Sequence, residues 1–201
     1  MAGEDKHDRG EQGVQRVKRW LERTTRVDQT WTRADSPLSE LLHFQWPCGD
    51  QQPFSYDLGG RFQGGDLEGQ SFIAEVKNYT KENDLAAHYV SFLAKCYVAL
   101  GHRPERCDHF LWVAWSPFQA QHWDEHVSEA KVLKAVLKHR RQVFGEEVEA
   151  GALAKVDHRR LIEVADRLWL ITLAQKQERL VIADEHYRDV RLAIAERREA
   201  S

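Results

Sequence analysis

No apolar run in this sequence approaches the roughly 18 residues needed to span a bilayer, and the opening MAGEDKHDRGEQG holds no hydrophobic segment that could act as a secretion signal. A cytoplasmic protein with no membrane partner is expected. Cysteine is scarce: Cys48, Cys96 and Cys107 are odd in number, unrelated in spacing and without a CxxC pair. Nothing in them suggests zinc or redox chemistry, and free thiols are expected. Only five prolines are present, which excludes collagen-like or proline-rich disordered chains. A bulk excess of one charge is missing as well. Lys plus Arg number 29 against 32 Asp plus Glu, so any nucleic-acid contact must come from local patches. What is present is a core-forming composition, 42% hydrophobic with seven tryptophans, in 201 residues. That length suits one domain over 1–201 and is too short for two with separate cores. Residues 1–8 are polar and expected to be flexible.

Periodicity outlines the elements. From about Glu11, the positions Val14, Val17, Trp20 and Leu21 recur at helical spacing. Residues 26–33 alternate as a short strand, and Ser36-Pro37 can start a short helix through Leu42, since serine caps and proline suits the first helical position. Two strand-like runs follow, 54–62 (FSYDLGGRF) and 70–79 (QSFIAEVKNY). The glycine-rich stretch between them supplies the positive φ angles of a hairpin reversal. A helix is expected over 81–100, closed by Gly101 as its cap, then a buried strand over 110–115 (FLWVAW). The remainder reads as a helix over 119–143, an acidic turn, a short helix near 161–165, a second buried strand over 168–173 (LWLITL) and a closing helix over 178–198. The order indicates an α/β domain with a mixed sheet of about five strands flanked by helices.

The hairpin carries the chemistry. Strand residues two apart share a face, so Glu75 and Lys77 stand together while Phe72, Ala74 and Val76 face the other way. Burying a lone carboxylate or ammonium is expensive, so a charged pair on an apolar strand points to a metal or substrate that satisfies it. Asp57 on the neighbouring strand can converge on the same point, and two carboxylates beside a lysine form a hard-oxygen site for Mg²⁺ or Mn²⁺. The E-x-K triplet occurs three times, but Glu4-Asp5-Lys6 lies in the polar terminus and Glu129-Ala130-Lys131 in an expected helix. The plain alternative is a surface hairpin with an ordinary charge pair.

Asp57, a gap of eighteen positions and Glu75-x-Lys77 before a long helix resemble the PD-(D/E)XK phosphodiesterase superfamily, the fold of restriction endonucleases and Holliday-junction resolvases. The helix opening Gly10-Glu11 is similar to the glycine-glutamate start of the first helix in resolvases and type IV restriction nucleases. The resemblance covers about residues 9–115, leaving 116–201 as a helical and strand extension completing the domain. It implies a restriction endonuclease-like core and a Mg²⁺-dependent endonuclease acting on DNA, in restriction, phage defence or repair. It also implies that Asp57 and Glu75 are metal ligands, joined by the Val76 carbonyl and by Glu11 as an auxiliary ligand, with Lys77 catalytic. One departure is Tyr56, where the pattern has proline. Glu11 reads equally well as a solvated acid favoured by the helix dipole.

Basic patches are the candidate nucleic-acid contacts: Lys131, Lys134, Lys138 and Arg141 at helical spacing, and Arg16 and Arg19 on the first helix. Both also read as solvated helix faces. His122 and His126 stand four apart, but Trp123 replaces the glutamate a zincin helix needs. Cys107 reads as a buried structural thiol, and Trp112, Trp115 and Trp169 as core. A homodimer would suit cleavage of two strands. Two rival functions remain: a nucleic-acid-binding subunit without catalysis, and a nuclease silent until a regulatory protein docks.

Overall fold

The computed structural model describes residues 2–24, 26–48, 52–78, 85–115 and 123–200. Its centre is a five-stranded mixed sheet. Strands β1 (Val27–Thr32), β4 (Leu58–Phe62) and β5 (Ser71–Lys77) run antiparallel, each to the next. Strands β6 (His109–Ala114) and β7 (Leu168–Thr172) continue parallel to β5, which gives the order β1-β4-β5-β6-β7. The α/β class and the mixed sheet flanked by helices therefore stand as expected.

Alternation along β5 explains the layers. Phe72, Ala74 and Val76 join Leu58, Leu111 and Val113 in one apolar cluster, which α1 (Ala2–Glu22) covers with Val14, Val17 and Leu21. Those three positions are three and four apart, one stripe of a helix. The opposite face carries Ile73, Phe110 and Trp112 and packs against α2 (Leu85–His102). Helices α4 (Glu129–Lys138) and α7 (His158–Asp166) lie on α2 in turn. Because α2 is covered on two sides, it is apolar nearly all round, with Tyr89, Phe92, Leu93, Cys96 and Tyr97 all buried. No described helix is long and apolar enough to cross a membrane.

Several boundaries differ from expectation. The strand over 54–62 is broken: β3 (Phe54–Ser55) pairs with β2 (His43–Phe44) in a separate ribbon, and the chain enters the main sheet only at Leu58. The break is held by hydrogen bonds, since Tyr56 N–H donates to Leu42 O at 3.1 Å and Asp57 N–H to Ala74 O at 3.0 Å. The helix expected over 119–143 is three pieces, α3 (Trp123–His126), α4 and α5 (Arg140–Phe144), with 119–122 outside the described residues. Ser128 caps α4 by accepting from Lys131 N–H, and Gly145 at φ 69° closes α5. Gly101 does not cap α2, which runs on through His102. A short α6 (Glu149–Leu153) adds to the expected elements, and α8 begins at Asp184 rather than 178, spanning Asp184–Glu199. Finally, 168–173 is an edge strand rather than a buried one: within β7 only Leu168 is buried, and Trp169 is 38% exposed.

Candidate active site

Strand register brings the carboxylates together. The antiparallel β4–β5 ladder pairs Leu58 with Ala74, so one step further places Asp57 opposite Glu75, at the corner where the chain leaves the main sheet for β3. Tyr56 anchors that corner. It is fully buried, and its hydroxyl donates to Cys96 Sγ at 3.8 Å while its ring meets Phe92 edge-on. Burial pushes both the Tyr56 phenol and the Cys96 thiol up, so both stay protonated and the contact between them is neutral.

Asp57 and Glu75 are 9% and 8% exposed. Asp57 Oδ2 accepts the Val76 N–H at 2.9 Å, and Lys77 Nζ donates to Glu75 Oε1 at 2.6 Å. Val76 thus enters the site through its amide N–H, and Lys77 sits on the same side of β5 as Glu75. Two further cations belong to the cluster and escaped sequence reading. Arg33, just after β1, reaches back so that Nη2 donates to Asp57 Oδ1 at 2.5 Å, and Lys95 Nζ on α2 lies 3.9 Å from Glu75 Oε2. Neither has a local spacing signal, because each depends on contacts across 24 and 20 positions. Burial first, and then the Glu75 charge, hold the Asp57 carboxyl above its usual 3.8; Lys77, the Val76 N–H and Arg33 oppose this and do not cancel it. Glu75 Oε2 is buried and among the described residues finds no hydrogen-bond partner. Two close carboxylates, one charged at a cost and one with an orphaned oxygen, are a donor set that a divalent cation would satisfy.

Glu11 is not brought to this pair. It is exposed, and lines a cavity of about 500 Å³ with Gln12, Gln15 and Arg16. Among the described residues no group of three or more His, Cys, Asp or Glu side chains is placed to hold a metal, so a third acidic ligand from α1 is not seen. The helix nevertheless approaches closely, since a Cβ on Gly13 would stand 2.6 Å from Asn78 Cβ at the end of β5.

The basic patches are divided. Lys131, Lys134 and Lys138 lie on α4, whereas Arg141 falls beyond the helix break and is ion-paired with Glu147. On α1, Arg16 stands with its guanidinium carbon 3.8 Å from the Trp115 ring centroid and donates to Glu178 at 2.8 Å, and Arg19 pairs with Asp184 at 3.2 Å. His126 is buried, and His122, four positions before it, lies outside the described residues, as do Tyr79 and Lys81. Cys107 is buried and its thiol is pushed up to about 12 by desolvation, as an inert structural thiol should be. Trp112 is core, Trp115 is half-buried, and Trp169 packs on Phe62 and His109 at the sheet edge. Comparison with known proteins returns no relative: no protein-family model, no curated protein and no solved structure matches the chain.

Proposed function

We propose that this protein is a metal-dependent nuclease of PD-(D/E)XK type that hydrolyses phosphodiester bonds in DNA. The observation that carries the reading is the buried meeting of Asp57, Glu75 and Lys77 at one strand corner, with Glu75 Oε2 left unsatisfied. The sheet order and the mixed strand directions are compatible with a restriction endonuclease-like core. The fold alone does not carry the activity.

Asp57 and Glu75 would hold Mg²⁺ or Mn²⁺, which when bound supplies Lewis-acid polarisation of the phosphoryl group and a lowered pKa for the attacking water. The chain's own residues do the rest. Lys77, fixed by Glu75, presents an ammonium beside the reacting phosphorus, where it orients the water and stabilises charge that grows on the phosphoryl oxygens. Arg33, whose side chain is 53% exposed while its tip touches Asp57, stands at the mouth of the site and can bind a phosphate oxygen there. In the reaction the water oxygen bonds to phosphorus and gives up a proton to solvent, while the ester bond to the sugar oxygen breaks and that leaving oxygen takes up a proton from solvent water.

Plasmid and single-stranded DNA incubated with Mg²⁺ or Mn²⁺ test this directly. The wild type should cut, and Asp57→Ala and Lys77→Ala should lose about a hundredfold or more in rate, the range one positioned electrostatic or acid–base group supplies. A wild type that leaves both substrates intact with either metal overturns the reading. One observation favours a second reading, a binding subunit without hydrolysis: Arg33, Lys77 and Lys95 already set three cations against two carboxylates, a network that is complete in charge without a metal. That reading predicts gel shifts with no cleavage.

A further inference from the structure

Beyond Glu75, a chain of contacts links Lys95 through Phe54 and Trp46 to His139. The Lys95 ammonium lies 5.7 Å from the centroid of the Phe54 ring, and among the described residues it makes no hydrogen bond. Phe54 meets the Trp46 indole with centroids 4.8 Å apart. Trp46 lies parallel to the His139 imidazole, 7° between planes and 6.1 Å between centroids. Parallel rings that far apart overlap only in part, so face area is left on both, and both residues are partly exposed. His139 occupies the joint between α4 and α5, beside the exposed Lys138. Its imidazole is held below the usual 6.5 by burial and by the charges of Lys138 and Lys95, which places all three groups within one field. Among the described residues no carboxylate pairs with Lys138 or His139. Two lysine ammoniums, of which Lys138 has no acid partner among the described residues, set beside two half-open rings and starting at a carboxylate site, are what a nucleic-acid strand requires for its phosphates and its bases.

We infer that Lys95, Lys138, His139 and Trp46 form a track for single-stranded nucleic acid leading away from the carboxylate corner, the two lysines taking backbone phosphates and Trp46, backed by the His139 ring, stacking on an unpaired base. This proposal rests on reading that corner as a phosphodiester site. A single strand fits better than a duplex because stacking on Trp46 needs a base face that a duplex keeps covered. Lys138 has a plain structural role too, since a cation suits a helix C-terminus. That role predicts no dependence of binding on Trp46.

The test is fluorescence anisotropy with a labelled short oligothymidylate and a duplex of equal length, in EDTA so that no strand is cut. Trp46→Ala should weaken oligothymidylate binding about tenfold or more, and Trp46→Phe should restore most of it. Lys138→Gln should reduce the slope of log affinity against log salt by about 0.7, one phosphate contact on a single strand. Unchanged single-strand affinity in a folded Trp46→Ala protein, or an unchanged salt slope in Lys138→Gln, overturns the track. So does duplex binding as tight as single-strand binding. Lys138 is exposed, so its variant decides for or against the track even if Trp46→Ala does not fold. If Mg²⁺ leaves DNA uncut while binding depends on Trp46, the hydrolase reading falls and the track stands. If DNA is cut while binding ignores both residues, the track falls alone.

Discussion

At the residue scale, Asp57 is held in a charged form that its surroundings disfavour. Its folded-state carboxyl titrates above 3.8 because burial and Glu75 outweigh Lys77, the Val76 N–H and Arg33. As pH rises from 3.8 towards the folded value, the unfolded chain gives up this proton first, so the stability contributed by protonated Asp57 is full below 3.8 and is lost across that window. Asp57→Asn, which keeps an acceptor for the Val76 N–H, should therefore melt above the wild type at neutral pH, with the difference shrinking in acid. Thermal melts at two pH values check this. Added Mn²⁺ should raise the wild-type melting temperature and leave Asp57→Asn unmoved, because only the ionised pair binds the cation. Equal shifts in both proteins would remove Asp57 from the metal site. Glu75 and Lys77 were legible because period two is a hard rule of extended backbone, and Asp57 because the hairpin reversal between 62 and 71 fixes what can face it. Arg33 and Lys95 were not, since their partners are chosen by sheet order and helix packing. Trp46 likewise took its meaning only when β3 and the α4–α5 joint were seen beside it.

At the element scale, α1 offers two glycines with opposite expectations. A Cβ on Gly10 would meet nothing within 4 Å, whereas one on Gly13 would stand 2.6 Å from Asn78 Cβ. Gly10→Ala should stabilise by about 0.5–1 kcal/mol through helix propensity alone. Gly13→Ala gains the same propensity but must push α1 off the end of β5, and overpacking costs about 1–3 kcal/mol, so the net sign reverses. Chemical denaturation of the two variants measures both. The stripe of Val14, Val17 and Leu21 made this helix readable, just as alternation made β5 readable. The broken stretch over 119–143 was harder. Its apolar spacing continues across the joints, one of which is set by a serine cap at Ser128 and the other by a break at His139 with no side-chain cap, and local pattern registers such stops only weakly. The strand over 54–62 misled for a different reason: its sequence suits extended backbone throughout, and the bend at Tyr56–Asp57 is imposed by Leu42 O and Cys96 from elsewhere in the chain.

At the scale of the whole molecule, α8 is held by charged contacts rather than by burial. It buries no residue, and Leu192 on it is 57% exposed. Ion pairs tie it down: Asp184 to Arg19 and Arg23, Arg191 and Arg198 to Asp28, and Arg198 also to Glu68. These pairs range from half-buried to exposed, and ion pairs open to solvent are screened by salt and individually weak. Raising ionic strength from low to about 1 M should therefore speed amide exchange in α8 while leaving β5 and β6 protected. Exchange in α8 that ignores salt would mean that its docking is not ionic. The class of the fold was legible from the order of strand and helix signals, but the edge position of β7 was not, because an apolar run reads the same in the middle of a sheet and at its rim.

Asp57, Glu75, Lys77 and Lys95 all come from β4, β5, α2 and the turn leading into them, neighbours in the chain, whereas β7 must return to β6 across residues 115–167. Closing the short reversal between β4 and β5 costs far less chain entropy than closing that long excursion. During refolding, amides of Ser71–Lys77 should accordingly gain protection from pulsed deuterium labelling ahead of those of Leu168–Thr172, so that the acidic corner is assembled early in the life of the chain, before the last strand arrives.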